Sequence, residues 1–269
     1  MKLVRVQPLL IPVPAPRQAS HVSPQSLYGQ LENETVWEIR GAFEGERERT
    51  GRSWPLAEVR LLPPVVPSKV VCQGRNYREH ALELKNPVPT EPMIFMKPPS
   101  SIVGPEEPIL LPAISQRVDY EGEIAAVIGR TCSRLGNGDA VAPYLLGFTC
   151  LNDVTARDLQ MSDKHFTRAK GFDTFCPLGP LVETEFDLAA ASVATFVNGE
   201  RRQFGRTSEM IFPVDAIIRW VSRIMTLLPG DVVATGTPAG VGPLAPGDVV
   251  EVEVSGIGRL RNPVAPRGD

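Results

Sequence analysis

The acidic stretch Asp119-Tyr-Glu-Gly-Glu123 runs without a break into Ile124-Ala-Ala-Val-Ile128, and this junction limits what the chain can fold into. A short apolar run with β-branched residues reads as a buried strand. A strand that enters a core carries its leading residues with it, so these carboxylates are drawn toward a low-dielectric interior. If Asp119, Glu121 and Glu123 share that strand, they lie on one face while Tyr120 and Gly122 point away. Three adjacent carboxylates repel one another and ask for a compensating cation. A solvated strand edge protected by charge is the alternative. The apolar run that follows weighs against it.

The rest of the chain supplies a mostly β framework for that strand. Short strand-like pieces occur around Leu3–Val6 and Thr35–Ile39, before the proline-rich segment Pro63-Pro64-Val65-Val66-Pro67. Proline fixes its own φ and restricts its predecessor, so this run reads as an extended connector. It divides a small β-rich N-terminal domain, residues 1–65, from a main body, residues 68–269. In the body, Lys69–Cys72, Met93–Met96, Glu123–Ile128, Val232–Ala234 and Val249–Val254 read as strands. A helix with a polar start is predicted from Asn76 to about Leu84. The clearest helix is Pro213–Thr226, where Ile217, Ile218, Val221, Ile224 and Met225 recur at helical spacing. Strands outnumber helices and do not alternate with them. This favours a mixed, β-dominated α+β class over a doubly wound sheet.

Composition bounds the partners. The 269 residues are 42% hydrophobic and 22% charged, enough to bury a sizeable core. A net charge of −3 argues against nucleic acid or an anionic membrane as a general partner. The proline-interrupted N-terminus lacks the uninterrupted apolar region expected of a signal peptide, and no run approaches the roughly 20 apolar residues of a membrane span. Cys72, Cys132, Cys150 and Cys176 are widely spaced and form no C-x-x-C pair. They suit reduced thiols in a cytoplasmic protein, and offer no zinc site.

Other residues add candidate chemistry. Asp153, in Leu151-Asn-Asp-Val-Thr, is either an N-cap or a hard oxygen ligand. His80 and Glu83 stand at i and i+3 and share a helix face, so the carboxylate can orient the imidazole as a base. His21 and His165 have no comparable setting. Lys170 is either a partner for a substrate oxygen or a solvated lysine. Thr235-Gly-Thr-Pro-Ala-Gly-Val-Gly242 lacks the Lys-Ser/Thr ending of a phosphate loop. Its backbone N–H groups suit a carboxylate better.

Seven stretches together resemble the fumarylacetoacetate hydrolase family: GRNYREHALE (Gly74–Glu83), MIFMKPPSSIVGP (Met93–Pro105), DYEGE (Asp119–Glu123), GFTCLNDVTARDLQ (Gly147–Gln160), AKGFDTFCPLGP (Ala169–Pro180), VNGERRQ (Val197–Gln203) and LPGDVVATGTPAGVG (Leu228–Gly242). They occur in the family's order over roughly residues 68–260. The resemblance implies a mixed β-roll core, a small N-terminal β unit and a homodimer. It makes Glu121, Glu123 and Asp153 the ligands of Mg²⁺ or Mn²⁺, and leaves Asp119 without an assigned role. It makes His80 and Glu83 a water-activating pair on a lid, and Lys170 the cation that stabilises an enolate. Arg75, Tyr77, Arg157, Gln160 and Thr237 become substrate contacts.

The expected reaction is hydrolysis of a C–C bond in an acylpyruvate-like oxo acid. The same site also suits isomerisation or decarboxylation of 2-hydroxy or 2-oxo dienedioates from aromatic degradation, or oxaloacetate decarboxylation. A silent, metal-stabilised binding protein ranks last, because His80, Glu83 and Lys170 are all present.

Overall fold

The computed structural model describes residues 1–9, 26–43, 47–163 and 165–266. His21 and the proline-interrupted stretch from residue 10 lie outside them. Among the described residues the chain forms twenty strands and four α-helices. The first part holds β1 (Lys2–Pro8), β2 (Leu27–Glu32), β3 (Thr35–Arg40), β4 (Glu48–Pro55), β5 (Val59–Leu62) and β6 (Val70–Gly74). Then come α1 (Arg78–Glu83), β7 (Met93–Lys97), β8 (Ile102–Val103), β9 (Ile109–Leu111), β10 (Val118–Tyr120) and β11 (Gly122–Ile128). The central part is β12 (Leu145–Asn152), β13 (Thr155–Ala156), α2 (Arg157–Asp163), α3 (Phe166–Lys170) and β14 (Cys176–Glu183). The remainder is β15 (Ser192–Val197), β16 (Glu200–Arg206), α4 (Val214–Ile224), β17 (Val232–Ala234), β18 (Gly242–Pro243), β19 (Val249–Val254) and β20 (Gly258–Pro266). The expected α+β class is the observed one.

A twelve-stranded sheet has the order β4-β3-β2-β1-β14-β12-β11-β17-β6-β7, with β5 added on β1 and β8 on β14. The N-terminal strands are therefore hydrogen-bonded to the body: Lys2 and Leu3 of β1 pair with Glu183 and Val182 of β14. A five-stranded sheet, β16-β15-β19-β20-β9, and a small one, β13-β10-β18, complete the frame.

Alternation along β11 explains why this strand tolerates no polar residue past Glu123. Ile124, Ala126 and Ile128 face one apolar core, with Ile217, Ile218 and Val221 of α4 and Val252, Val254 and Leu260 of the five-stranded sheet. Ala125 and Val127 face a second core with Cys72, Cys176, Leu178 and Ala234. A strand buried on both faces reads as a continuous apolar run, not as alternation. Each buried Val, Ile or Leu contributes about 1.5–3 kcal/mol through loss of apolar surface to water.

Two helices differ from their sequence-based limits. Asn76 and Tyr77 are not helical: Tyr77 is extended, and α1 starts at Arg78. Tertiary bonds override propensity here, because the Asn76 amide donates to Thr235 O and Phe212 O and accepts from Phe212 N. At the other helix Pro213 is the cap rather than the first turn, and Met225 is already extended. Ile224, counted in the apolar stripe, is 55% exposed.

Asp231 ties the proline-rich connector to this frame. It is fully buried and accepts hydrogen bonds from Ser68 N, Lys69 N and Leu228 N, while pairing with the Lys69 ammonium. Alanine there orphans three backbone donors and a partly buried cation. Asp231→Ala is expected to cost about 3 kcal/mol or more, read as a lower urea midpoint at unchanged slope.

Candidate active site

The site forms where two adjacent strands change sheets at the same level. β10 pairs within the small sheet and β11 within the large one, and Glu121 is the residue between them. Its neighbour across the ladder does the same: β12 ends at Asn152, β13 starts at Thr155, and Asp153 lies in the gap. The crossing is pinned by Asp153 N donating to Glu121 O at 2.8 Å and Glu121 N donating to Asn152 Oδ1 at 2.9 Å. Gly122 is required at this point, since a Cβ there would come within 2.0 Å of Thr195 Oγ1.

The break corrects the expected three-carboxylate strand face. Period-2 alternation stops at Glu121, so Asp119 does not join Glu121 and Glu123. Its carboxylate is held by Arg117 Nε at 2.9 Å and Arg157 Nε at 3.0 Å. Arg157 also pairs with Glu121 and donates to Gln160 Oε1 at 2.6 Å. Asp119 thus anchors the guanidinium that holds Glu121.

One oxygen from each of Glu121, Glu123 and Asp153 lies within 4.8 Å of the others, and all three side chains are buried. Asp153 is therefore a member of a carboxylate cluster, not the cap of a helix. Lys170, from the end of α3, donates to Glu121 Oε2 at 2.7 Å and to Asp153 Oδ2 at 2.6 Å. Lys97, from the end of β7, is 1% exposed and donates to Asp153 Oδ1 at 2.6 Å and Val154 O at 3.0 Å. Among the described residues Glu123 accepts one hydrogen bond, from the uncharged donor Gly236 N at 2.7 Å, in the glycine-rich turn after β17.

These contacts divide the two glutamates. Burial acts to raise the Glu121 carboxyl, but the charges of Lys170 and Arg157 outweigh it and hold Glu121 well below the usual range. Burial, together with the charges of Asp153 and Glu121, pushes Glu123 well above it. Burial would lower the Lys170 ammonium, yet Asp153 and Glu121 hold it above its ordinary value. Among the described residues, no cation is bonded to Glu123. Three convergent hard oxygens with one carboxyl short of a cation fit a divalent ion of the magnesium or manganese kind.

The triad opens into a cavity of about 320 Å³, also lined by Gln73, Arg75, His80, Phe95, Gln160 and Thr237. His80 Nδ1 lies 3.2 Å from Glu83 Oε2, and Glu83 accepts from Gly240 N at 3.0 Å. The turn thus latches α1 over the cavity. These donors outweigh the burial that would raise the Glu83 carboxyl, and hold it low. Thr237 bonds Gly122 O and Gln203 as it reaches the cavity wall. Tyr77 and Glu83 are not among the lining residues; the Tyr77 ring packs beside Gly205, and its buried hydroxyl has no partner among the described residues.

The sequence reading missed Lys97 and Gln73. Lys97 ends an apolar strand, where a charge usually marks the return to solvent, and only long-range packing brings it to Asp153. Gln73 is a lone polar residue closing the Val70–Cys72 run. It donates to Gly74 O and leaves Oε1 without a partner.

Two outcomes follow from these charges. Metal ligation favours the ionised form of Glu123, which burial disfavours, so Mg²⁺ binding should release protons and weaken as pH falls. Calorimetry in buffers of different ionisation heat reads this; a buffer-independent heat contradicts it. Lys97→Met leaves Asp153 without one of its two buried cations and should destabilise the metal-free protein by about 3–5 kcal/mol, measured by denaturant unfolding.

Residues 69–265 match the family model described as fumarylacetoacetate (FAA) hydrolase C-terminal, and residues 22–64 match that of the Rv2993c-like N-terminal region. Protein Rv2993c of Mycobacterium tuberculosis is 51% identical over 89% of this chain and 91% of its own. Oxaloacetate tautomerase FAHD2A, mitochondrial, of Homo sapiens is 45% identical over 78% of this chain and 71% of its own. The crystal structure of 2-hydroxyhepta-2,4-diene-1,7-dioate isomerase from Mycobacterium marinum superposes with a TM-score of 0.87 at 46% identity, covering 100% of both chains. The match over the body, the relatives' identity and the shared fold establish that this chain belongs to the fumarylacetoacetate hydrolase family.

Proposed function

We propose that the chain is a divalent-metal-dependent isomerase or tautomerase that moves a proton in a 2-oxo or 2-hydroxy acid. The observation that carries this reading is the His80–Glu83 dyad latched over a cavity whose floor is the carboxylate triad with Lys170. Glu83 engages Nδ1, so Nδ1 bears the proton and Nε2 keeps the lone pair. His80 is then a base that takes a proton from the carbon beside the oxo group. The charge that develops on the oxo oxygen meets the Lys170 ammonium. His80 returns the proton to that oxygen in tautomerisation, or to a carbon further along a conjugated chain in allylic isomerisation. Glu121, Glu123 and Asp153 would hold Mg²⁺ or Mn²⁺, which when bound would supply Lewis-acid charge to the oxo acid.

C–C hydrolysis, the reaction first expected from the motifs, asks more of the same residues. The dyad would have to deliver hydroxide to a distal carbonyl and release an enolate. The relatives' names support proton transfer instead: one is an oxaloacetate tautomerase, and one a dienedioate isomerase.

With Mg²⁺, the protein should speed conversion of enol to keto oxaloacetate, and deuterium uptake at C3 in D₂O, followed by ultraviolet absorbance and NMR. His80→Ala and Glu83→Ala should each lower the rate about 10²-fold or more while Mg²⁺ still binds. Faster cleavage of an acylpyruvate than tautomerisation of oxaloacetate contradicts the reading.

A further inference from the structure

The lining of the cavity is of two kinds. One is polar and charged: the carboxylate triad with Lys170, Arg157 and Gln160. The other is apolar: Leu84, Met93, Phe95, Met161 and Phe166, brought together from the end of α1, β7, α2 and the first residue of α3. Among the described residues, Leu84, Met93, Met161 and Phe166 pack into none of the apolar cores, and only Phe95 touches one. Met161 is 74% exposed. These side chains add little to the cores that hold the sheets together. Uncovered apolar surface beside a concave polar site marks a place where something apolar binds.

The strand β7 sets the direction of this wall. Met93, Phe95 and Lys97 alternate onto one face of the strand, while Ile94 packs against a core on the other. Lys97 is the end that bonds Asp153. Residues on a strand rise about 3.3 Å each, so Phe95 stands roughly 7 Å and Met93 roughly 13 Å along from Lys97. The Lys170 ammonium lies 5.0 Å from the Phe95 ring centroid, and that ring meets the Phe166 ring edge to face at 5.1 Å. Met93 Cε lies over Gly74, its partner across the ladder, where a Cβ would come within 2.5 Å of it. The apolar wall thus begins next to the charged floor and runs outward from it for the length of several methylene groups.

We infer that this wall holds an apolar tail, so that the site takes a 2-oxo or 2-hydroxy acid whose carbon chain continues as alkyl or aryl beyond the reacting atoms. The inference rests on the proposed proton transfer only in placing the acid's carboxylate and oxo group at the triad. Oxaloacetate has no such tail and leaves the wall uncovered. Each methylene laid on the wall loses apolar surface to water and should tighten binding about two- to fourfold.

The test uses the full chain loaded with Mg²⁺ and three unreactive 2-hydroxy acids of increasing length, lactate, 2-hydroxybutyrate and 2-hydroxyhexanoate, titrated by calorimetry. Wild type should bind each longer acid more tightly, gaining roughly 10–60-fold over the three added methylenes. Phe166→Ala should cut that gain about threefold or more. Met161→Ser, at an exposed position where folding is not at stake, should cut it as well. Retained Mg²⁺ affinity shows that a variant has folded. A flat series in wild type overturns the proposal, and tautomerisation of oxaloacetate in the same protein would leave the reaction standing without it. A rising series with no deuterium uptake at C3 of either oxaloacetate or 2-oxohexanoate supports the wall and sinks the proton transfer. A gain per methylene unchanged in both variants overturns the wall as the seat of the tail. A flat series with concentration-dependent self-association that Met161→Ser weakens assigns the wall to a second copy of the chain, and likewise overturns the proposal.

Discussion

The backbone bond from Asp153 N to Glu121 O fixes the point at which two neighbouring strands leave the large sheet for the small one. Everything in the site depends on that crossing. On one side of it β11 and β12 are buried between two apolar cores; on the other, the chain carries charges that a core cannot hold alone. Glu121 and Asp153 stand in the gap, and Glu123 stands one step inside the sheet. Their charge is tolerable only because α3, β7 and α2 deliver Lys170, Lys97 and Arg157 to the same place. Removing a partner from such a pair costs more than the pair contributes, since the remaining charge stays buried. The network is therefore a source of specificity in how the sheets meet as much as of stability.

The same arrangement explains why the cluster is asymmetric. Glu121 has two cationic partners that hold its carboxyl low, whereas Glu123 has a backbone amide, and burial with its acidic neighbours pushes its carboxyl up. A site wired in this way is prepared for one further positive charge at one place. The glycine-rich turn after β17 serves both halves of the site, giving Gly236 N to Glu123 and Gly240 N to Glu83. That shared turn couples Glu123 to the helix bearing His80. His80 and the Lys170 ammonium line the same cavity as the three carboxylates.

Local pattern carried a good part of this. The apolar run Ile124–Ile128 correctly announced a buried strand, and the His80–Glu83 spacing announced a face shared by base and carboxylate. The low helix content was legible as well, because periodicity changed so rarely to the helical value. What local pattern could not show was the sheet crossing at Glu121, which depends on how β10 pairs with β13 and β18. Extending the strand through Asp119 therefore grouped the wrong three carboxylates. Lys97 was silent for a similar reason: a lysine before two prolines looks like the end of a strand at the surface. The left-handed turn at Arg75 was hidden too, since nothing in Gly-Arg-Asn-Tyr signals a positive φ at the arginine rather than at the glycine.

The central claim is that Glu121, Glu123 and Asp153 form one divalent cation site at the floor of the cavity. Anomalous diffraction from crystals of the full chain grown with Mn²⁺ tests it directly. The account predicts a manganese peak within coordinating distance of a carboxylate oxygen from each of the three residues. A peak confined to other acidic groups, or none at saturating Mn²⁺, would contradict it.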